Sequence, residues 1–199
     1  MRWDHLFDDL ASQFDAGLDE ERRRAELEEE RLRVARLTVR DRLVALAAAL
    51  RPGERIGLQL HDGERVDIVP VEFGADWIGA DLAGAAHRYG ACIVPLAGVG
   101  ALLLDREQTA ASLAVRSERP SSLSARLGLA IALRDLARRR VACELSTRLG
   151  VVHGTIDRVG RDHVDVAVHS SDAVRRESQV ALTRIIPLDD LVLVRIGTD

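Results

Sequence analysis

The sequence predicts an α+β protein made of two small antiparallel β-barrels in tandem, each preceded by a helix, with a helical arm at the N-terminus. Three observations carry this. Ile56–Leu104 and Val141–Ile196 alternate apolar and polar residues, with Gly and Asp at the joints, as half-buried strands and tight turns do. The two stretches also match in order. Phe73-Gly74-Ala75-Asp76-Trp77-Ile78 aligns with Val159-Gly160-Arg161-Asp162-His163-Val164, and Val94-Pro95-Leu96 with Ile186-Pro187-Leu188. Finally, the preceding segments Arg42–Leu46 and Gly128–Ala132 lie at the same 86-residue offset as the first of those matches. The predicted division is a helical arm over 1–37, helix plus first barrel over 38–105, a linker over 106–123, and helix plus second barrel over 124–199.

In the arm, Trp3, Leu6, Phe7, Leu10 and Phe14 fall on one helical face. Gly17 is expected to end that helix, and Asp19 to cap the next. Residues 20–36 are almost all charge, with Arg22, Arg23 and Arg24 set against Glu26, Glu28, Glu29 and Glu30. Pairs at this spacing support a solvated helix. Thr38 is expected to cap a helix over 39–50, with Asp41 at the capping-box position but one carbon shorter than the usual Glu. Leu43, Leu46, Ala47 and Leu50 give that helix an apolar face, and Arg51-Pro52-Gly53 stops it. Residues 81–88 read as a turn or irregular hairpin. Ser122 or Ser124 is expected to cap a helix over 125–139 with Leu129, Ala132, Leu133 and Leu136 inward. Residues 170–178 read as a polar excursion between two strands, and 191–196 as the last strand.

Apolar residues make up 47% of the 199-residue chain, enough for a core, but aromatics only 3%, so that core is built from Leu, Val, Ile and Ala. The net charge of -4 argues against a generic nucleic-acid binder. All 28 basic residues are Arg, which reads as coding bias rather than recognition. The one basic stretch is 106–140, with eight Arg against three acids. Cys92 and Cys143 lie on predicted strands and read as buried small hydrophobes, with a disulfide between them as the alternative. The N-terminus opens on an amphipathic rather than apolar segment, and no apolar run approaches a membrane span, so a cytoplasmic location is expected.

The two copies resemble the Sm-like and wider SH3-like small-barrel families. The resemblance rests on a helix followed by five short strands, on Leu60-His61-Asp62-Gly63 and Val71–Asp76, and on Val159-Gly160-Arg161-Asp162 with the Pro-Leu runs. It covers about two-thirds of the chain and implies tandem small barrels whose edge strands pair into larger assemblies. The whole chain, through Met1-Arg2-Trp3-Asp4 and Gly154–Gly160, also resembles an uncharacterised actinobacterial protein family. The uridine-binding Sm proteins use an Asn where Ile78 and Val164 stand here, and a basic-Gly turn where Ala97-Gly98 and Asp189-Asp190 stand. The resemblance therefore implies the barrel without its RNA pocket. Only Trp77 and Tyr89 offer a stacking surface in these stretches.

No nucleophile elbow, P-loop, dinucleotide glycine cluster or Cys-x-x-Cys pair is present, so no enzyme and no cofactor are expected. His163 and Asp165 share a strand face, with His169 and His153 nearby, but their spacing does not specify a metal site, and none is expected. The expected function is a non-catalytic scaffold or protein-interaction module, with a protein partner or self-association. Trp3, Phe7, Phe14 and Trp77 are its candidate contacts. The alternative is a nucleic-acid-binding or transcription-associated protein using the basic helix 126–140. Arg126, Arg134, Arg138, Arg139 and Arg140 would then contact phosphate, with salt-dependent affinity. A small-ligand site in a cleft between the copies is a third reading.

Overall fold

A computed structural model describes the backbone of residues 4–84, 89–114, 123–169 and 182–197, and their side chains except those of 4–16 and 89. The chain separates into two compact units, Met1–Arg42 and Leu43–Asp199.

In the first unit, α1 runs unbroken over Asp4–Ala35. The expected stop at Gly17 does not occur. A glycine inside a helix costs only about 1 kcal/mol relative to Ala, and the turns that follow offset that with local ion pairs. Asp19–Arg22, Glu20–Arg24, Glu28–Arg31 and Glu30–Arg33 all lie at i,i+3 or i,i+4. The Arg33 hydrogen bond holds the Glu30 carboxyl below its ordinary range. Leu18, Leu27 and Leu32 are exposed, as the solvated-helix reading expects. The Thr38 capping box forms despite its shortened acid. Asp41 accepts from the Thr38 N–H at 3.0 Å, and the Asp41 N–H donates to Thr38 Oγ1 at 3.1 Å.

The helix that box starts, α2 over Val39–Ala49, buries Leu43 and Leu46 in the second unit. The strands of that unit are β1 (Ile56–Leu60), β2 (Arg65–Phe73), β3 (Trp77–Leu82), β4 (Tyr89–Pro95), β5 (Val99–Leu103), β6 (Ala142–Thr147), β7 (Gly150–Val159), β8 (His163–Val168), β9 (Leu182–Pro187) and β10 (Leu191–Gly197). Among the described residues, two α-helices stand between β5 and β6: α3 (Arg106–Ser112) and α4 (Leu129–Arg139).

These ten strands form one antiparallel sheet in the order β5-β1-β2-β3-β4-β10-β6-β7-β8-β9. This overturns the expectation of two tandem small β-barrels, and with it the Sm-like/SH3-like resemblance. The sheet is open, with β5 and β9 as its two edges, and neither half closes on itself. The physical reason lies at the centre. β10 pairs β4 on one side and β6 on the other, so the two halves merge into one sheet. Cys92–Pro95 and Leu191–Val194 are buried at consecutive positions, the pattern of strands covered on both faces.

The repeat itself is visible inside this sheet. Each half runs last strand, first, second, third, fourth: β5-β1-β2-β3-β4, then β10-β6-β7-β8-β9. The matched motifs make matched hydrogen bonds. Gly74 N–H donates to Trp77 O at 2.9 Å and Gly160 N–H to His163 O at 2.8 Å, while Leu96 and Leu188 N–H donate to Asp76 and Asp162 O, both at 2.8 Å. In each half a ring lies over the glycine. A Cβ on Gly74 would stand 2.0 Å from the Trp77 indole nitrogen, and one on Gly160 2.4 Å from the His163 ring.

Two core clusters line the sheet. One joins α2, β1–β4 and Val192-Leu193 of β10. The other joins α4, β6–β8, Ile186, Leu191 and Val194, and takes in Trp77 and Ile93 from the first half. Cys92 belongs to the former and Cys143 to the latter, both as free thiols. Burial pushes each up to about 12, so both stay protonated and inert at neutral pH.

Two local expectations differ from the structure. Residues 106–112 are helical rather than linker, because Asp105 and Gln108 form a complete capping box. The second barrel's expected helix starts at Leu129, not Ala125, since no serine caps it. Ser124 heads a short 3-10 turn instead, and the Leu129 N–H donates to Asp76 Oδ1 at 2.7 Å from the β2–β3 turn. The 170–178 excursion lies outside the described residues.

At the far end of α4, Arg140 has φ 55, the left-handed cap that glycine normally fills. Arg140→Gly is expected to raise stability by about 1 kcal/mol, the left-handed cost of a side chain less the added chain entropy. A urea titration of wild type and variant checks this, and an unchanged or lower midpoint contradicts it.

Candidate functional site

Three of the five arginines of the basic segment have partners within the chain. Arg134 Nη2 donates to Gly160 O at 3.2 Å. Arg138 and Arg139 both pair with Asp135, each at 2.6 Å. The Arg138 hydrogen bond, more than the Arg139 charge, holds the Asp135 carboxyl below its ordinary range. Arg126 stands in the preceding 3-10 turn and Arg140 at the left-handed cap. The five arginines thus share one short segment, with a carboxylate set between two of them.

Among the other sequence candidates, Trp77 is 8% exposed and donates its indole N–H to Leu127 O at 2.9 Å. Its surface is taken up by the core. The side chains of Trp3, Phe7 and Phe14 lie outside the described residues. The histidines do not converge. His163 Nδ1 meets Asp162 Oδ1 at 2.8 Å, and His169 Nε2 meets Thr155 Oγ1 at 2.9 Å. The His163 ring holds the Asp162 carboxyl below its ordinary range. His153 Nδ1 lies 3.6 Å from Glu144. Among the described residues no three His, Cys, Asp or Glu side chains form a ligand set.

A centre that sequence reasoning missed sits at the join of the halves. Arg195 on β10 lies between Cys92 of β4 and Glu144 of β6. Its guanidinium donates to Glu144 Oε1 at 2.6 Å, to Ser146 Oγ at 3.1 Å, and to Glu64 beside the β1–β2 turn. Burial alone would lower its pKa, but the Glu64 and Glu144 carboxylates more than offset this and hold it above its ordinary value. The signal was present in the sequence: a lone charge in the apolar run Leu191-Val192-Leu193-Val194-Arg195-Ile196 must find a partner. The group borders a cleft of about 500 Å³ lined also by Arg65, Asp67, Leu82 and Leu103. With both carboxylates already on the guanidinium, the charge is consumed in joining the halves.

The two sheet edges are different. β9 pairs β8 on one side only, and β5 pairs β1 on one side only. No described strand covers their outer sides. Four consecutive residues of β9 are exposed, including Leu182 and Ile185, the latter at 69%. An edge strand with outward apolar residues and free backbone groups is a template for another strand. Alternation shows a strand's faces and not its neighbours, so the sequence does not mark this strand as an edge.

Compared with known protein families, curated proteins and solved structures, the chain matches none. No family therefore supports the Sm-like or the actinobacterial resemblance.

Proposed function

We propose that this chain is a non-catalytic interaction module whose docking elements are the two free edges of its sheet. The observation that carries the reading is β9, an edge strand with Leu182 and Ile185 open to solvent. Strand addition to such an edge takes affinity from main-chain hydrogen bonds and specificity from alternate side chains. The charged cluster at the join supports the same reading, since Arg195, Glu64 and Glu144 are spent on one another. A cytoplasmic setting fits two buried free thiols. No helix among the described residues is long and apolar enough to cross a membrane.

The test is capture of partners by the intact chain, comparing wild type with Ile185→Lys. A charge on an edge strand blocks pairing at little cost to the fold. Capture lost in a variant of unchanged melting temperature is the expected result. Capture indifferent to Ile185→Lys would sink the edge reading.

The second reading is nucleic-acid binding through α4, favoured by the exposed Arg138 and Arg139 side chains. Against it stands Asp135 between them. A salt titration with single- and double-stranded nucleic acid separates the two. Salt-sensitive binding lost on replacing Arg138, Arg139 and Arg140 would promote it, while no binding at low salt would remove it.

A further inference from the structure

The join inside this sheet is a pattern for a join between copies. At the centre, the fourth strand of the first half, β4, pairs the last strand of the second half, β10. The strands left at the edges are the fourth strand of the second half, β9, and the last strand of the first half, β5. The free edges are thus the same two strand types that already pair once within the chain.

The side chains follow the same logic. The turns Leu96–Gly98 and Leu188–Asp190 stand 92 residues apart, each between the fourth and last strand of its half. That offset makes Ile185 the equivalent of Ile93, and Leu102 the equivalent of Val194. Ile93 and Val194 are opposite partners across the internal join. Ile93 is 6% exposed because it reaches into the core of the other half, beside Val194. Ile185 is 69% exposed, as Ile93 would be without its neighbouring half. Leu102 packs against the first half's core from the edge strand β5, where an incoming isoleucine would meet it.

We infer that copies of this chain associate head to tail, the β9 edge of one pairing antiparallel with the β5 edge of the next, Ile185 opposite Leu102. This rests on the edge reading above and names its partner as a second copy. The contact is heterologous, so an open chain of copies keeps one free β9 edge and one free β5 edge, and assembly proceeds to a ring or a filament.

The experiment uses full-length chains carrying Ile185→Cys, Leu102→Cys, or both, with a short bis-maleimide cross-linker and denaturing gels. Directly opposed residues place their Cβ atoms about 5 Å apart, within the linker's span. The native thiols are buried, so labelling is confined to the new sites. The double variant is expected to give a ladder of covalent multimers. Each single variant alone should stay monomeric on the gel, and the two mixed should give covalent dimers and nothing larger. Sedimentation of the untreated wild type should show species above the monomer that Ile185→Lys abolishes.

A single variant that cross-links to itself would overturn the head-to-tail pairing in favour of a twofold one. Monomeric sedimentation with no ladder would overturn self-pairing altogether. If such a monomer still captured a different protein in an Ile185-dependent way, the edge reading would stand while this inference fell. No capture and no association would remove both.

Discussion

Arg195→Ala is expected to destabilise the protein by about 3 kcal/mol, the low end of the range for breaking a buried ion pair by removing one partner, since this pair is part-buried. The substitution leaves Glu144, whose side chain is 18% exposed, beside an emptied site between β4 and β6. Glu64 is 40% exposed and recovers solvent more easily, so Glu64→Gln should cost much less than Glu144→Gln. The Ser146 hydroxyl, completely buried, also loses its donor. The diagnostic measurement is a urea titration of Arg195→Ala, Arg195→Met, and Arg195→Met with Glu144→Leu. If the uncompensated Glu144 charge carries the loss, the double variant recovers most of it, because an apolar replacement of both partners is close to neutral. If the double variant is no more stable than Arg195→Met alone, the ion pair is not what holds this join.

Arg195 also marks where sequence reading reached its end. Five strands in each half were legible, because alternation, glycine joints and the Pro-Leu runs are local facts. The inward stripe Leu129, Leu133 and Leu136 and the Thr38–Asp41 box were legible for the same reason. What was not legible is which strand lies beside which. The alternation of β9 looks the same whether its outer side is covered or open. The merging of the halves was written only in the consecutive apolar residues of Cys92–Val94 and Leu191–Val194, which a two-barrel reading takes as ordinary barrel interior. The start of α4 was hidden differently: its cap, Asp76, lies 53 residues before the N–H it receives. Gly17 was misread because glycine stops a helix only when nothing nearby sustains it, and four ion pairs follow it.

The other large effect belongs to Trp77. Trp77→Ala is expected to cost about 3–5 kcal/mol, as for aromatic truncation in a packed core. The indole is the one large aromatic in its cluster and spans the halves, lying on β3 of the first but packed with α4 and β6–β8 of the second. It also donates to Leu127 O just ahead of α4, so its loss frees the approach to the helix as well as opening a cavity. Trp77→Phe keeps most of the apolar contact and should cost markedly less, with about 1 kcal/mol of that cost from the missing hydrogen bond. Gly74 tests the geometry independently. An alanine there would place its Cβ 2.0 Å from the indole nitrogen, so Gly74→Ala in the wild type must displace the ring. In the Trp77→Ala background that obstacle is gone, and the same substitution should cost far less. A double-mutant cycle over Gly74 and Trp77 is therefore expected to be strongly non-additive, with the pair losing much less than the two single losses together. Additive losses would mean that the ring does not rest on Gly74, and that the matched glycine-and-ring motifs of the two halves are a coincidence of sequence rather than one device used twice.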